Sequence, residues 1–542
     1  MNIVERFVIG VKDAGKLKKS LLCILSAFLF ALPFMTKSMA GDIASLSAVF
    51  GWTGLVIPFM LLFDFKKTLK RVLCSLFCFF YVFYFFAYSW FVSLYPLDFA
   101  GFGKLESIGV ILIPVTLIPL IHASVMTFWF SIGFVSAKNV KSSILRAVLV
   151  SFGYVLGEYF QSVGTFAFPW TRLFVGQTSF ISLLQSASLF GSYFITFIMV
   201  LVNALVAFSL LNFKDNRKKS LALLFVAVLV FVTNLVFGLV RIEAFDYNDH
   251  KKLEAVVLQG NIPSGVKWTG KVNEREIYLE LSDSEALKGI NADIVVMPET
   301  AFPVTLSPYD GFDNANEKTL MQISEKLSSE VFVGAFNNEE DKAYNSVFVY
   351  DSDGAVTRPY NKHNIVPFGE FLPYKSIIEK LLPVLAEINM LSNDLERGEN
   401  FMPLETKSGK AACLVCFDSI FPDTLRKQVK NGAEFVVIVT NDSWYKTSSA
   451  IYQHADHAVM RAIENNRPVI RSANTGISRI IDSFGRVKAQ TKVDERTAIS
   501  HDIALSHGCT IYTIIGDVFV LVGAIFIIVC LAVTLLKKKI LP

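Results

Sequence analysis

A chain of 542 residues that is 53% hydrophobic and only 18% charged, with a net charge of +4, is too apolar for a disordered protein. Its basic residues cluster beside apolar runs instead of forming one stripe, so no nucleic-acid partner is expected. Of 47 acidic residues only Glu5, Asp13, Asp42, Asp64, Asp98, Glu106, Glu158 and Asp215 precede Arg241, which divides the chain into a hydrocarbon-soluble part and a polar part.

Crossing the hydrocarbon core takes about 20 mostly apolar residues, and a central Asp, Lys or Arg costs roughly 2.5–3.5 kcal/mol. Eight spans are expected on that basis, at 21–35, 43–63, 72–94, 109–135, 148–161, 179–211, 221–240 and 518–536. Lys12, Lys16, Lys18 and Lys19 precede the first, and Lys66, Lys67, Lys70 and Arg71 follow the second. Lys138, Lys141 and Arg146 follow the fourth, Lys214, Arg217, Lys218 and Lys219 the sixth, and Lys537 to Lys539 the eighth. The other short loops carry only Lys37, Lys104 and Arg172. A cytoplasmic excess of Lys and Arg then places both termini in the cytoplasm and everything from about Arg241 to Thr510 on the other side. Three regions are expected: a membrane domain at 1–241, an extramembrane domain at 242–510, and the last span with its basic tail at 511–542. The first span, between Lys16 and the small residues Ser38-Met39-Ala40, imitates a signal peptide, and an uncleaved anchor is expected.

The extramembrane region alternates strands with amphipathic helices. Strands are expected at 254–259, 293–297, 331–335, 346–350, 411–417, 435–440, 469–472 and 478–481, with a hairpin turn at Asp351-Ser352-Asp353-Gly354. Helices are expected at 273–288, 317–329, 424–431 and 449–465. The fold class is therefore a multi-span helical membrane domain plus an α/β sandwich, with function at strand ends. Seven cysteines are too scattered for a disulfide framework, and Cys413 and Cys416, three apart in an apolar strand, point to opposite faces rather than forming a redox or zinc pair.

Three residues of the polar part carry chemistry together that none carries singly. Glu299 follows a strand in VVMPETAFP, Lys362 lies in a loop in YNKHNIVPFGE, and Cys416 ends CLVC. Alone they read as a solvated carboxylate, a surface lysine and a buried structural cysteine. A thiol with a pKa of about 8.5 is mostly protonated at neutral pH and needs a base, which a glutamate supplies. The tetrahedral intermediate of acyl transfer carries an oxyanion, which a lysine and a backbone N–H such as that of Phe417 stabilise.

These residues and their flanks resemble the nitrilase superfamily, and with the spans they resemble its membrane branch, the apolipoprotein N-acyltransferases. The likeness runs through VLQGNIPSGVKW (257–268), MPETAFP, KHNIVPFGEFLP (362–373), TNDSWY (440–445), QHADHAVMRAIENNRPVIRSANTGIS (453–478) and, in the membrane part, AFPW (167–170). It implies a nitrilase-like αββα domain on the periplasmic side of a bacterial inner membrane. It also implies transfer of an acyl chain from a membrane phospholipid to the N-terminal amine of a diacylated apolipoprotein. Glu299 would be the base, Lys362 the oxyanion partner, Cys416 the thioester, and Glu370 a further acidic residue of the site, with Trp268 and Trp444 on bordering loops.

Three departures limit the transfer of roles. The Tyr and Glu expected after the nucleophile are Phe417 and Asp418, the Arg expected three residues after Glu158 is Gln161, and the expected Trp-Phe-Gly is Trp444-Tyr445-Lys446. Glu158 itself, near the end of a span, is expected to be interfacial or structural. Neither a metal nor a cofactor is expected, because His454 and His457 lack a third ligand at suitable spacing. A lipid donor is favoured on physical grounds: drawing an acyl chain of some fifteen methylenes into water costs on the order of 12 kcal/mol. A membrane-anchored amidase or acyl hydrolase, and an inactive lipoprotein-binding scaffold, are the alternative readings.

Overall fold

The computed structural model describes residues 3–39, 41–63, 68–97, 101–244, 250–306, 314–376, 380 and 394–540. The chain forms two compact units, one of residues 1–92, 111–244 and 515–542 and the other of residues 93–110 and 245–514. Ala40, Lys66 and Lys67 of the charge and cleavage-site readings lie outside the described residues.

The first unit is helical. Among the described residues, eight helical segments are long and apolar enough to cross a membrane: Lys16–Ser38, Gly41–Leu62, Leu69–Leu94, Lys104–Ala137, Ser143–Phe160, Ser192–Asn212, Arg217–Glu243 and Val518–Leu536. Each overlaps one expected span, but the sixth begins thirteen residues later than composition suggests. The stretch before it folds into short turns, Ile181–Leu183 and Ala187–Phe190, and Gly191, at φ 76, starts the long helix. Apolar content cannot distinguish such a turn from a helix, whereas the positive φ of a glycine does interrupt one.

Glu158 is buried at the end of its helix and is held by two donors and one charge. Thr196 Oγ1 donates at 2.7 Å and the Leu173 amide at 3.0 Å, while Arg172 Nε lies 3.5 Å away. Arg172 in turn donates to Ser192 Oγ at 2.9 Å and sits 3.7 Å from the centre of the Tyr193 ring. The guanidinium absent at Gln161 is thus supplied from Arg172, and Gln161 donates instead to the Tyr84 hydroxyl at 2.7 Å. Glu158 has the structural role expected of it, as the centre of a closed polar cluster.

The second unit is a four-layer αββα sandwich. Its first sheet has the order β13-β1-β2-β3-β4-β5, with β6 also on β4, where β1 is Lys252–Gln259, β2 Ile294–Val296, β3 Glu330–Glu339, β4 Lys342–Asp351, β5 Gly354–Ala355, β6 Tyr360–Asn361 and β13 Thr497–Ala504. The second has the order β12-β11-β10-β9-β8-β7, where β7 is Leu404–Glu405, β8 Lys410–Val415, β9 Phe435–Thr440, β10 Val469–Ala473, β11 Arg479–Ile481 and β12 Val487–Gln490. β1, β2 and β3 run parallel, as do β8, β9 and β10.

The two-residue period of each strand separates two cores. Leu253, Ala255 and Val257 of β1 share one core between the sheets with Ala411, Cys413 and Val415 of β8. Val256 and Leu258 face the other way, toward the helices Glu274–Ser282 and Ala315–Leu327. The helices Pro422–Lys430 and Ser449–Asn465 lie against the second sheet.

All eight expected strands are present, with changes at their ends. The strand expected to reach residue 417 stops at Val415, because Cys416 adopts φ 49 and opens a turn, Cys416–Ile420. Cys413 is buried in the inter-sheet core, and Cys416, on that turn, packs against the same core, not on the opposite face of one strand. The helix expected at 273–288 ends at Ser282 and is followed by a separate turn, Glu285–Leu287. The missed strands are short or lie at sheet edges, and β13, which carries Ser500, His501 and Asp502, lacks clean alternation.

Beneath the C-terminal ends of β9 and β10 lies a buried ionic cluster. Asp442 accepts from Arg471 at 2.9 Å and pairs with His454 Nδ1 at 2.8 Å. Burial alone would push the Asp442 carboxyl up, but Arg471 and His454 outweigh it and hold the group at about 2.

Two outcomes follow for stability. Arg172→Met leaves Glu158 buried without its counter-charge and is expected to cost about 3 kcal/mol, with part regained in the double variant Glu158→Gln/Arg172→Met, read by unfolding in detergent. Asp442 has a folded pKa below its unfolded one, so its contribution, on the order of 2 kcal/mol, is complete above about pH 4. It should be lost as pH falls toward 2, and denaturant titrations across that range should show a shallower acid loss in Asp442→Asn.

Candidate acyl-transfer site

Three strand ends bring the expected residues together. Glu299 lies three residues beyond β2, Cys416 directly follows β8, and Lys362 directly follows β6, so two come from the first sheet and one from the second. For Glu299 and Cys416 this is the position where open α/β sheets place their chemistry, at the carboxyl ends of parallel strands, whereas Lys362 follows a strand antiparallel to β4.

The turn carrying Glu299 is fixed by its neighbour β3. The Met297 amide donates to Phe332 O, the Gly334 amide to Pro298 O and the Ala301 amide to Gly334 O. Position 334 must be glycine, since a Cβ there would lie 2.5 Å from Glu299 Cα. The carboxylate accepts from Asn345 Nδ2 at 2.6 Å and from the Asn441 amide at 2.7 Å. Asn345 belongs to β4 and Asn441 follows β9, so this one carboxylate is tied to both sheets. Burial raises its pKa, opposed by the charge of Lys362 and reinforced by that of Glu370.

Lys362 is buried, not on the surface. Its amide donates to Asn345 O and its carbonyl accepts from the Gly398 amide, both at 2.8 Å. Its Nζ lies 2.8 Å from Glu370 Oε1. Glu370 also accepts from Asn345 Nδ2 at 3.1 Å and from the Val366 amide at 2.8 Å. Burial would lower the lysine, but Glu370, then Glu299, then Cys416 raise it above its ordinary value, so it stays cationic.

Cys416 occupies the left-handed region, which disfavours residues with a Cβ by about 1–2 kcal/mol. Its carbonyl accepts from Ser419 Oγ at 2.7 Å and lies 3.2 Å from His454 Nε2, the imidazole already paired with Asp442. Burial and the Glu299 carboxylate push the thiol up, with Lys362 opposing. Burial and the neighbouring carboxylate thus both favour the protonated thiol.

Asp418, whose role the sequence left open, joins the turn of Cys416 to the lysine loop. It accepts from Tyr360 Oη at 2.9 Å, from the Asn364 amide at 2.6 Å and Nδ2 at 2.9 Å, and from the amides of His363 and Val415 at 3.4 and 3.3 Å. Phe417 is buried and packs edge-on against Phe421 at 5.3 Å between ring centres. Trp268 is 44% exposed, with its ring 6.1 Å from that of Phe336. Trp444 is half-buried, and it is its neighbour Tyr445 whose hydroxyl feels the charges of Cys416, Asp442 and Glu299. Sequence reasoning missed Asn345, Asn441, Asp442, Arg471 and Lys267. All five fall within or beside strands or motifs already singled out, but amide and charge types there carry no signal of the partner across the sandwich. His454 was weighed only as a metal ligand, and in the fold it faces a carboxylate and a carbonyl.

Residues 26–205 match the family model of the apolipoprotein N-acyltransferase N-terminal domain, and residues 257–508 match that of the carbon-nitrogen hydrolase. The apolipoprotein N-acyltransferase of Geobacter metallireducens is 32% identical over 386 residues, covering 69% of this chain and 71% of the relative. That of Haemophilus influenzae is 27% identical over 523 residues, covering 91% and 94%. Among solved structures, Saccharomyces cerevisiae Nit3 of the nitrilase superfamily aligns with 47% of this chain and 90% of its own, at 16% identity and a TM-score of 0.37. The two family models in this order, and relatives that span most of both chains, establish a multi-pass membrane acyltransferase: the chain belongs to the apolipoprotein N-acyltransferase family.

Proposed function

We propose that the protein moves an acyl chain from a membrane phospholipid, through a thioester on Cys416, to the N-terminal amine of diacylglyceryl-cysteine apolipoproteins, completing their maturation. The observation that carries this reading is the convergence of Glu299, Lys362 and Cys416 from two sheets, with the thiol in a left-handed turn beside a doubly anchored carboxylate. In the first half-reaction Glu299 takes the thiol proton as sulfur attacks the ester carbonyl, and Lys362 faces the developing oxyanion. The C–O bond then breaks and Glu299 returns the proton to the departing lysophospholipid oxygen. In the second, the neutral amine attacks the thioester, Glu299 takes a nitrogen proton, the C–S bond breaks and the proton returns to sulfur. Neither half-reaction consumes a net proton, and the kinetics are ping-pong.

Loop charge supports the orientation: basic residues cluster at both termini and in alternate loops, which gives cytoplasmic termini and a periplasmic catalytic domain in a bacterial inner membrane. Eight apolar helices supply the hydrocarbon setting that an acyl donor needs and a soluble amide would not.

Intact-mass analysis of the purified protein after exposure to phospholipid should reveal an acyl adduct on Cys416 that hydroxylamine removes, with lysophospholipid released. Cys416→Ala should form none and lose transferase activity. In single-turnover assays Glu299→Gln should slow adduct formation by about 10²- to 10⁴-fold and Lys362→Met by about 10²- to 10³-fold. Full transferase activity in Cys416→Ala would sink the mechanism.

A further inference from the structure

One buried cation beside the site has no part in the reaction as drawn. Lys267 ends the short helix Ser264–Lys267, directly before the half-exposed Trp268, and is itself only 1% exposed. Its Nζ donates to Glu299 O at 3.2 Å and to Thr300 Oγ1 at 2.7 Å, and lies 5.7 Å from the centre of the Trp268 ring. Both partners belong to the turn that presents the base.

That turn needs holding. Thr300 has φ 46, a left-handed conformation that a β-branched residue strongly resists. On one side the backbone of β3 clamps it, with Gly334 pressed against Glu299 Cα. Lys267 clamps it through the Glu299 carbonyl and the Thr300 hydroxyl.

The amine is also an electrostatic neighbour. The charged groups acting on Lys267 are Glu299 and Glu274, and those acting on Glu299 are Lys362, Glu370 and Lys267. With Lys267 protonated, the two site carboxylates Glu299 and Glu370 are balanced by two lysines; with it neutral, they share the single charge of Lys362. Burial pulls Lys267 down to about 7, against the pull of Glu299 and Glu274, so this balance is poised near neutrality.

We propose that Lys267 is a positioning residue of the acyl-transfer site: it fixes the turn that carries Glu299, and its charge keeps that carboxylate ionised and ready to take the thiol proton. The proposal rests on the role of Glu299 as base given above. It also links the loop that bears Trp268 to the base, since neighbouring residues of one short helix reach outward and inward.

The test is the pH dependence of single-turnover Cys416 acylation in the full-length protein with phosphatidylethanolamine vesicles, followed by intact mass. For wild type the rate rises with pH as the base ionises. Lys267→Met should move this acid limb up by about one pH unit and lower the plateau about tenfold. Lys267→Gln keeps a donor for the turn but no charge, so its limb should move as far while its plateau stays nearer wild type. Glu274→Gln, remote from the reacting atoms, withdraws a carboxylate that favours the charged lysine and should move the limb the same way by less. It decides the matter if the Lys267 variants do not fold. Acid limbs that superpose on wild type in all folded variants overturn the inference while leaving the base assignment intact. Absence of any adduct on wild-type Cys416 overturns the base assignment, and the inference with it.

Discussion

Everything in the catalytic domain depends on burying opposite charges together where two sheets meet. Glu299 and Lys362 are both nearly sealed from solvent, and Glu370 is close behind. An isolated ion taken out of water loses several kcal/mol even after relaxation, so none of the three would persist alone. Asn345 holds the arrangement by donating from one amide nitrogen to both carboxylates. The inter-sheet core supplies the low dielectric, and the strand ends supply the amides that make it tolerable.

Cys416 is held to the same standard of rigidity. Cys416 is kept in an unfavourable backbone conformation by contacts to its carbonyl from Ser419 and His454, and His454 is backed by Asp442 and Arg471. Asp418 then fixes the turn to the lysine segment through four donors, from Tyr360, His363 and Asn364, and to its own strand through the Val415 amide. This accounts for an acid at 418 without assigning it a share in proton transfer. An aspartate serves here because the loop backbone of Asn364 approaches to 2.6 Å.

How much of this could be read from sequence depends on the range of the interaction involved. The strands of the inter-sheet core were legible because burial on both faces leaves continuous apolar runs, as in Phe435–Thr440, whose ends agree with expectation. The helix Ser449–Asn465 was equally legible from its period. Cys416 was named from its type and flanks, yet placed within a strand, because nothing local announces a left-handed cysteine. Lys362 looked like a surface residue until Glu370 was seen eight positions later to face it. Asn345 and Asn441 gave no signal at all, since their value lies in meeting Glu299 from distant parts of the chain.

The amide of Asn441 reaching Glu299 has a consequence for biosynthesis. Residues are threaded out in order, so the acid, the lysine and the thiol all emerge before the segment that finishes the acid's coordination, and His454 and Arg471 follow later still. Until the segment after β9 docks, the Glu299 carboxylate lacks the Asn441 amide and is held only from the first sheet, by Asn345. The setting of the acid is thus complete only when both sheets have formed, and a chain that ends before Asn441 lacks one of its two hydrogen-bond donors.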